Sequence, residues 1–202
     1  MADDTRAPVV TALRARGKDR VEIDLDGHLW RVVPTEAVFA VSLSVGRVLD
    51  RTTARALGRE LRKLEAQALA LRALRARDHT VASLERRLTE RGAPPSLRRE
   101  TLDAVQRAGL VDDHRFARKR SSLLAKRGAG NELIVDDLER QGVADDDIRA
   151  ALVALEPESA RAMRIAEVRG RTPKTARYLA SKGFSEESLE ALVADLSADA
   201  ID

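Results

Sequence analysis

One short phrase is written three times in this chain, and the repetition constrains the fold more than any other feature. The copies are Leu88-Thr89-Glu90-Arg91-Gly92-Ala93, Leu138-Glu139-Arg140-Gln141-Gly142-Val143 and Leu179-Ala180-Ser181-Lys182-Gly183-Phe184. Each reads as a helix end. The leucine faces a core, the glycine turns the chain at positive φ, and the apolar residue after it covers the cap. Acidic or hydroxyl residues follow, and then a second amphipathic segment. Ten residues past the glycines stand Leu102, Leu152 and Val193, and thirteen past them stand Val105, Leu155 and Leu196. The glycines lie 50 and 41 residues apart, which predicts a helical repeat protein. Such proteins present long surfaces to large partners, so the pattern favours binding over catalysis.

The chain is 44% hydrophobic but only 2% aromatic, so its core must be built from Leu, Val and Ala, which suits close helix packing. It has no cysteine, which excludes disulfides, iron–sulfur clusters and thiolate zinc sites. No apolar run approaches the ~20 residues of a membrane span. Met1-Ala2-Asp3-Asp4 lacks the basic and apolar regions of a secretion signal. The expectation is a reducing, cytoplasmic setting with no membrane partner. The net charge of +3 conceals an asymmetry: residues 68–130 carry 15 basic and 7 acidic side chains, whereas residues 131–202 carry 9 and 16. The middle of the chain suits a phosphate backbone or an acidic protein surface, and the last third would repel either.

The first third follows different rules. Val9 to Leu13 is β-prone, and Arg20 to Leu25 alternates with period two, as a half-buried strand does. Asp26-Gly27 signals a two-residue hairpin, His28 to Val33 returns, and Pro34 ends the strand. Thr35 to Ala40 reads as a short helix. A long helix follows, capped by Thr52 or Thr53 and running to about Arg77 with a break near Ala66; Leu57, Leu61, Leu64, Ala68 and Leu71 form its apolar stripe. The remaining helices contain Val81 to Leu88, Leu97 to Val105, Phe116 to Leu124, 131–141, 145–155, Lys174 to Lys182 and Ser185 to Leu196, with Phe116, Leu123 and Leu124 inward. The predicted fold class is mainly α: three tandem three-helix units in an elongated curved stack, behind a small antiparallel β-hairpin element. The predicted boundaries are 1–50 for the β element, 51–112 for a linking helix and the first repeat, 113–156 for the second and 157–202 for the third.

Two basic sets are candidate contact surfaces. Arg115, Arg118, Lys119, Arg120, Lys126 and Arg127 lie on and just after one helix, and the first three are spaced to share a face. The bland reading is a solvated face matched to the helix dipole; phosphate contact would instead make binding fall steeply with salt. The second set is Arg72, Arg75, Arg86, Arg87 and Arg91, in which Arg87 and Arg91 form a like-charged i,i+4 pair unless Glu85 and Glu90 balance it. Phe116, Tyr178 and Phe184 read as core, and Trp30 as packed over the sheet rather than as a stacking platform.

His28, His79 and His114 have no partners at metal-ligand spacing. Asp145-Asp146-Asp147 lacks the alternation and glycine of a calcium loop and reads as helix capping. Gly128-Ala129-Gly130 follows a helix and carries no Lys-Ser/Thr, so it is not a nucleotide loop. No metal, cofactor or catalytic residue is expected, and the chain is read as a non-enzyme.

Several stretches resemble the RecX family of regulatory proteins. They are Ala73-Leu74-Arg75-Ala76-Arg77-Asp78-His79-Thr80 with Leu84-Glu85-Arg86-Arg87-Leu88, then Gly109-Leu110-Val111-Asp112-Asp113-His114-Arg115-Phe116-Ala117, and Lys182-Gly183-Phe184-Ser185. The resemblance runs from about Ala68 onward. It implies tandem three-helix repeats and a regulator of the RecA recombinase, active in homologous recombination, DNA repair and the SOS response. Such a protein binds in the groove of the RecA filament on single-stranded DNA and inhibits ATP hydrolysis, strand exchange and co-protease activity. The partners it implies are the RecA filament and, non-specifically, single- or double-stranded DNA, with the chain acting as a monomer. Asn131-Glu132 stand where family members often carry more basic residues. Two other readings of the residues are a DNA-binding protein of helix-turn-helix type and a helical-repeat adaptor for another protein.

Overall fold

The structure, a computed structural model, describes residues 6–190. Met1 to Asp4, Val193, Leu196 and the end of the last expected helix therefore lie outside the described residues. The chain divides into two compact units, one formed by the residues up to Arg72 with Leu88–Thr101, the other by Ala73–Arg87 with the residues from Leu102 onward.

The first unit opens with a three-stranded antiparallel sheet: β1 (Val10–Ala15), β2 (Arg20–Leu25) and β3 (His28–Pro34), in that order. Asp26 and Gly27 both take positive φ, 49° and 84°, as a two-residue turn matched to strand twist requires. The Asp26 carboxylate also accepts from the Val9 amide at 3.0 Å, tying the turn to the start of β1. Helix α1 (Thr35–Ala40) follows Pro34 directly. Val10, Ile23, Val33, Ala37, Val38, Leu43 and Leu49 form a core closed by Leu57, Leu61 and Leu64 of α2 (Arg51–Ala76). That core gives the small sheet a partner it needs, since an isolated hairpin is marginal in water. Ile23, Val10 and Val33 fill the covered side, and Trp30 is left 41% exposed rather than packed over the sheet.

Helix α2 departs from expectation in three ways. It runs 26 residues without a break near Ala66, where Glu65-Ala66-Gln67-Ala68-Leu69-Ala70 is a run of strong helix formers. Its start is held by Asp50, whose carboxylate accepts from the Thr53 amide at 2.7 Å, and not by Thr52 or Thr53. Its apolar stripe holds for Leu57, Leu61 and Leu64 but not for Ala68 and Leu71, which are exposed; the buried positions pass instead to Ala66, Ala70 and Ala73. Within this unit Lys63 pairs with Glu100 at 2.7 Å.

Helices α3 (Val81–Glu90) and α4 (Pro95–Arg107) contribute to both units. The second unit continues with α5 (Asp113–Lys126), α6 (Asn131–Arg140), α7 (Asp145–Val153), α8 (Glu158–Arg169) and α9 (Pro173–Ser181), and a further helix starts at Glu186. Ala117, Ile134, Leu138, Val143, Ile148 and Ala151 form one core cluster, with Phe116 and Leu124 packed on it. Leu123 is 41% exposed, not inward, because Leu124 and Ala117 already occupy the α5 face turned to this cluster. Ala162, Ala166, Leu179 and Phe184 form another, with Tyr178 against it.

The repeated phrase closes three helices in one way. Leu88, Leu138 and Leu179 are each fully buried, and their carbonyls accept from the amides of Ala93, Val143 and Phe184 at 3.1, 3.1 and 3.2 Å. The amides of Gly92, Gly142 and Gly183 bond to Thr89, Glu139 and Ala180. This is the double hydrogen bond of a Schellman cap, and the next helix begins three residues past each glycine.

The start of one helix then clasps the end of a later one, twice. The Thr80 hydroxyl donates to the Gln141 carbonyl at 2.6 Å, and the Asp113 carboxylate accepts from the Val81 amide at 2.9 Å. Correspondingly, the Gly130 amide donates to the Lys182 carbonyl at 2.8 Å, and the Glu158 carboxylate accepts from the Asn131 amide. Asp113 and Glu158 are the first residues of α5 and α8. The fold is a helical repeat fold behind a small sheet.

A basic cleft at the ends of α5, α8 and α9

Most of the first basic set is spoken for by the fold. Asp112 caps α5 by accepting from the Arg115 amide at 2.8 Å, and the Arg115 guanidinium reaches the Gly109 carbonyl at 3.3 Å. Lys119 pairs with Asp78 at 3.4 Å. Arg120 binds Asp137 through two nitrogens, both at 2.8 Å, which raises the Arg120 pKa and lowers that of Asp137. Arg118, Lys126 and Arg127 are exposed and have no ion pair among the described residues.

The second set does not gather. Arg72 and Arg91 line a 270 Å³ pocket of the first unit, together with Arg62, Glu65 and Pro94. Arg91 directly follows the last residue of α3, and both it and Arg87 are exposed. Arg75 is exposed in the last turn of α2, Arg86 reaches only to 3.5 Å from the Arg140 carbonyl, and Arg87 is exposed near His79. Burial together with the Arg77 and Arg87 charges lowers the His79 pKa.

Lys126 and Arg127 instead join residues absent from either set. With Arg161, Arg164 and Arg169 of α8 and Tyr178 of α9 they line a cleft of 680 Å³ whose apolar lining includes Leu155, Ile165 and the exposed Val168. Arg161 is buried and bonds to the carbonyls of Ala129 at 2.8 Å and Glu156 at 3.2 Å, with its guanidinium 5.7 Å from the Phe184 ring centre. Arg164 pairs with Glu156. The Arg169 guanidinium carbon lies over the Tyr178 ring, 3.9 Å from its centre.

The α8 cations were hidden by the acidic balance of the last third. Their spacing carries a signal all the same: Arg161, Arg164, Ile165 and Val168 step by three, one and three, along one helix face. Phe184 is buried and Phe116 half-buried, as core readings require. Among the described residues no helix is long and apolar enough to cross a membrane.

These features define the protein as a mainly helical repeat protein with a sheet at its start and a cationic cleft formed by helix ends. No family model matches the chain. It is 32% identical over 153 residues to Regulatory protein RecX of Mycobacterium ulcerans, a match covering 68% of this chain and 88% of that one. It is 37% identical over 102 residues to Regulatory protein RecX of Mycolicibacterium smegmatis, where it covers 54% of the relative's length. A crystal structure of regulatory protein RecX superposes with a TM-score of 0.74 at 21% identity, covering 93% of this chain and 99% of the other, which supports the fold. The chain belongs to the RecX family of regulatory proteins.

Proposed function

We propose that this protein is a non-enzymatic inhibitor of the RecA recombinase that lies in the groove of the RecA filament on single-stranded DNA and restrains ATP hydrolysis, strand exchange and co-protease activity. The observation that carries the reading is family membership, through relatives named regulatory proteins. The clasp used twice, by Thr80 and by Gly130, supports a scaffold divided at 51–112, 113–156 and 157–202, behind the β element of 1–50. A repeated scaffold can touch more than one subunit of a polymer, and two simultaneous contacts raise the effective concentration of each. Arg118, Lys126 and Arg127 are the members of the first basic set most available for such contact, and any DNA contact through them would be non-specific. In this reading the protein works in the cytoplasm, as a monomer, during homologous recombination, DNA repair and the SOS response.

The test is to titrate the purified chain into RecA, single-stranded DNA and ATP while following hydrolysis and filament length. Falling ATP turnover with filaments intact is the expected result. Unchanged turnover at saturating protein overturns the reading.

A further inference from the structure

We propose that the cleft at the ends of α5, α8 and α9 receives an acidic protein segment bearing an aliphatic side chain. This rests on the regulatory reading above, in which the segment belongs to the recombinase. The cleft offers two kinds of surface at once. Its rim is cationic: Lys126 and Arg127 project from the end of α5 with no carboxylate partner among the described residues. Its floor is aliphatic: Leu155 and Ile165 line it, and Val168 stands 85% exposed beside them.

A protein segment uses both surfaces, with carboxylates on the rim and a Leu, Ile or Val against the floor, as in interfaces that combine an apolar centre with a polar edge. A nucleic-acid strand would use only the rim. Bases stack on open aromatic faces, and the aromatic ring of this cleft, Tyr178, is already covered by Arg169 at 3.9 Å. That contact also restrains the exposed Arg169 side chain, so less side-chain freedom is lost when it meets a carboxylate. The wall is preformed too, because buried Arg161 is fixed by the Ala129 and Glu156 carbonyls. The volume of 680 Å³ falls within the range of about 300–1,000 Å³ typical of binding pockets.

The absence of cysteine makes the test direct. Val168→Cys carries a single benzophenone label, and the labelled full-length chain is irradiated with RecA filaments on single-stranded DNA and ATP. The expected product is a cross-link to one RecA segment containing at least two carboxylates and an aliphatic residue. In Lys126→Glu with Arg127→Glu its yield should fall at least five-fold, and half-maximal inhibition of ATP turnover by the unlabelled double variant should need at least five-fold more protein. Arg55→Glu with Arg59→Glu, an equal charge change on exposed positions of α2, should leave both measurements within two-fold.

Cross-links to the DNA, cross-links scattered over segments without carboxylates, or a yield indifferent to the Lys126 and Arg127 reversals would each overturn the assignment. The two readings fail separately. Inhibition of ATP turnover without a cross-link from position 168 removes the cleft alone, whereas a specific cross-link without inhibition removes the regulatory function and leaves the cleft.

Discussion

The Thr80 hydroxyl donates to the Gln141 carbonyl across 61 residues of chain. Thr80 precedes the first residue of α3, and Gln141 follows the last residue of α6, one position before the cap glycine. The pair therefore joins a helix start, which has amides to spare, to a helix end, which has carbonyls to spare. The opposite partial charges of the two termini favour the same approach. Gly130 and Lys182 repeat the arrangement between α6 and α9, with a backbone amide in place of the hydroxyl. Asp113 and Glu158 complete each junction by satisfying the first amide of α3 and of α6.

The cap glycines are equal in conformation and unequal in surroundings, which separates two costs. Gly92 and Gly142 have φ of 74° and 76°. A Cβ at Gly92 would meet nothing within 4 Å, whereas one at Gly142 would overlap the Ala82 Cβ. Gly92→Ala should lose about 1–2 kcal/mol from left-handed strain alone. Gly142→Ala should lose roughly 1–3 kcal/mol more, because the α3 start must move away. Urea unfolding of the two variants side by side measures the difference; equal losses would mean that the α3–α6 contact is not tight.

Thr80 is buried and its hydroxyl serves two neighbours, donating to Gln141 and accepting from the Ser83 amide at 3.0 Å. Thr80→Val keeps the shape and removes both bonds, stranding the half-buried Gln141 carbonyl and the Ser83 amide in the first turn of α3. The expected loss is about 2–3 kcal/mol, with Thr80→Ser recovering most of it. Thermal unfolding of both variants is the check, and a Val variant as stable as Ser would dismiss the clasp as a source of stability.

Arg118 and Arg120 are two positions apart on α5, yet only Arg120 is tied down, by both oxygens of Asp137. Arg120→Ala should cost about 1 kcal/mol of stability and leave the half-maximal concentration for the proposed RecA inhibition unchanged. Arg118→Ala should be neutral in stability, within ±0.5 kcal/mol, as surface substitutions away from specific contacts usually are. Paired denaturation and ATP-turnover curves separate the two roles.

What could be read beforehand tracks the distance over which each signal acts. The hairpin was legible because Asp26-Gly27 is a local demand on two φ angles, and the helix ends because a buried leucine, a glycine and a covering residue lie within six positions. The same double bond, however, closes α4 at Gly109-Leu110 and α5 at Gly128-Ala129, where the first-position residues are Val105 and Leu124. The cap therefore marks helix ends in general, and the full burial of its leucine distinguishes the three repeated copies. Asp50, Thr52 and Thr53 are all good cap residues, so the local sequence does not single out Asp50 as the α2 cap. The clasps of Thr80 and Gly130 had no local signature, since each needs a carbonyl brought in from tens of residues away. The cationic cleft was masked because net charge sums over a segment, while Arg161, Arg164 and Arg169 act on one face of α8.

Glu158 and His79 give the molecule two separable acid limbs. Glu158 is buried at the start of α8, and burial alone would raise its pKa; the hydroxyls of Ser185 and Ser188 and the amides of Asn131 and Ser185 outweigh that and hold it below its ordinary value of 4.5. A carboxyl with a depressed folded pKa contributes stability that is fully present above the unfolded value and is lost as pH falls through the folded one. His79 is also depressed, by burial first and then by Arg77 and Arg87, from an ordinary 6.5, with Asp78 opposing. The unfolded chain takes up that proton first, so His79 begins to withdraw stability as soon as pH drops below about 6.5 and stops doing so below its folded value. Unfolding free energy should accordingly decline in two stages, the first starting near pH 6.5 and the second below about pH 4.5. His79→Gln should erase the first stage only. Glu158→Gln should shrink the second without abolishing it, because Asp137, held down by Arg120, contributes to the same limb, and should cost about 2 kcal/mol at pH 7 from the weakened hydrogen bonds. Urea titrations at half-unit pH steps resolve the stages, and a Glu158→Gln variant whose lower limb is as large as that of the unaltered protein would remove Glu158 as a contributor.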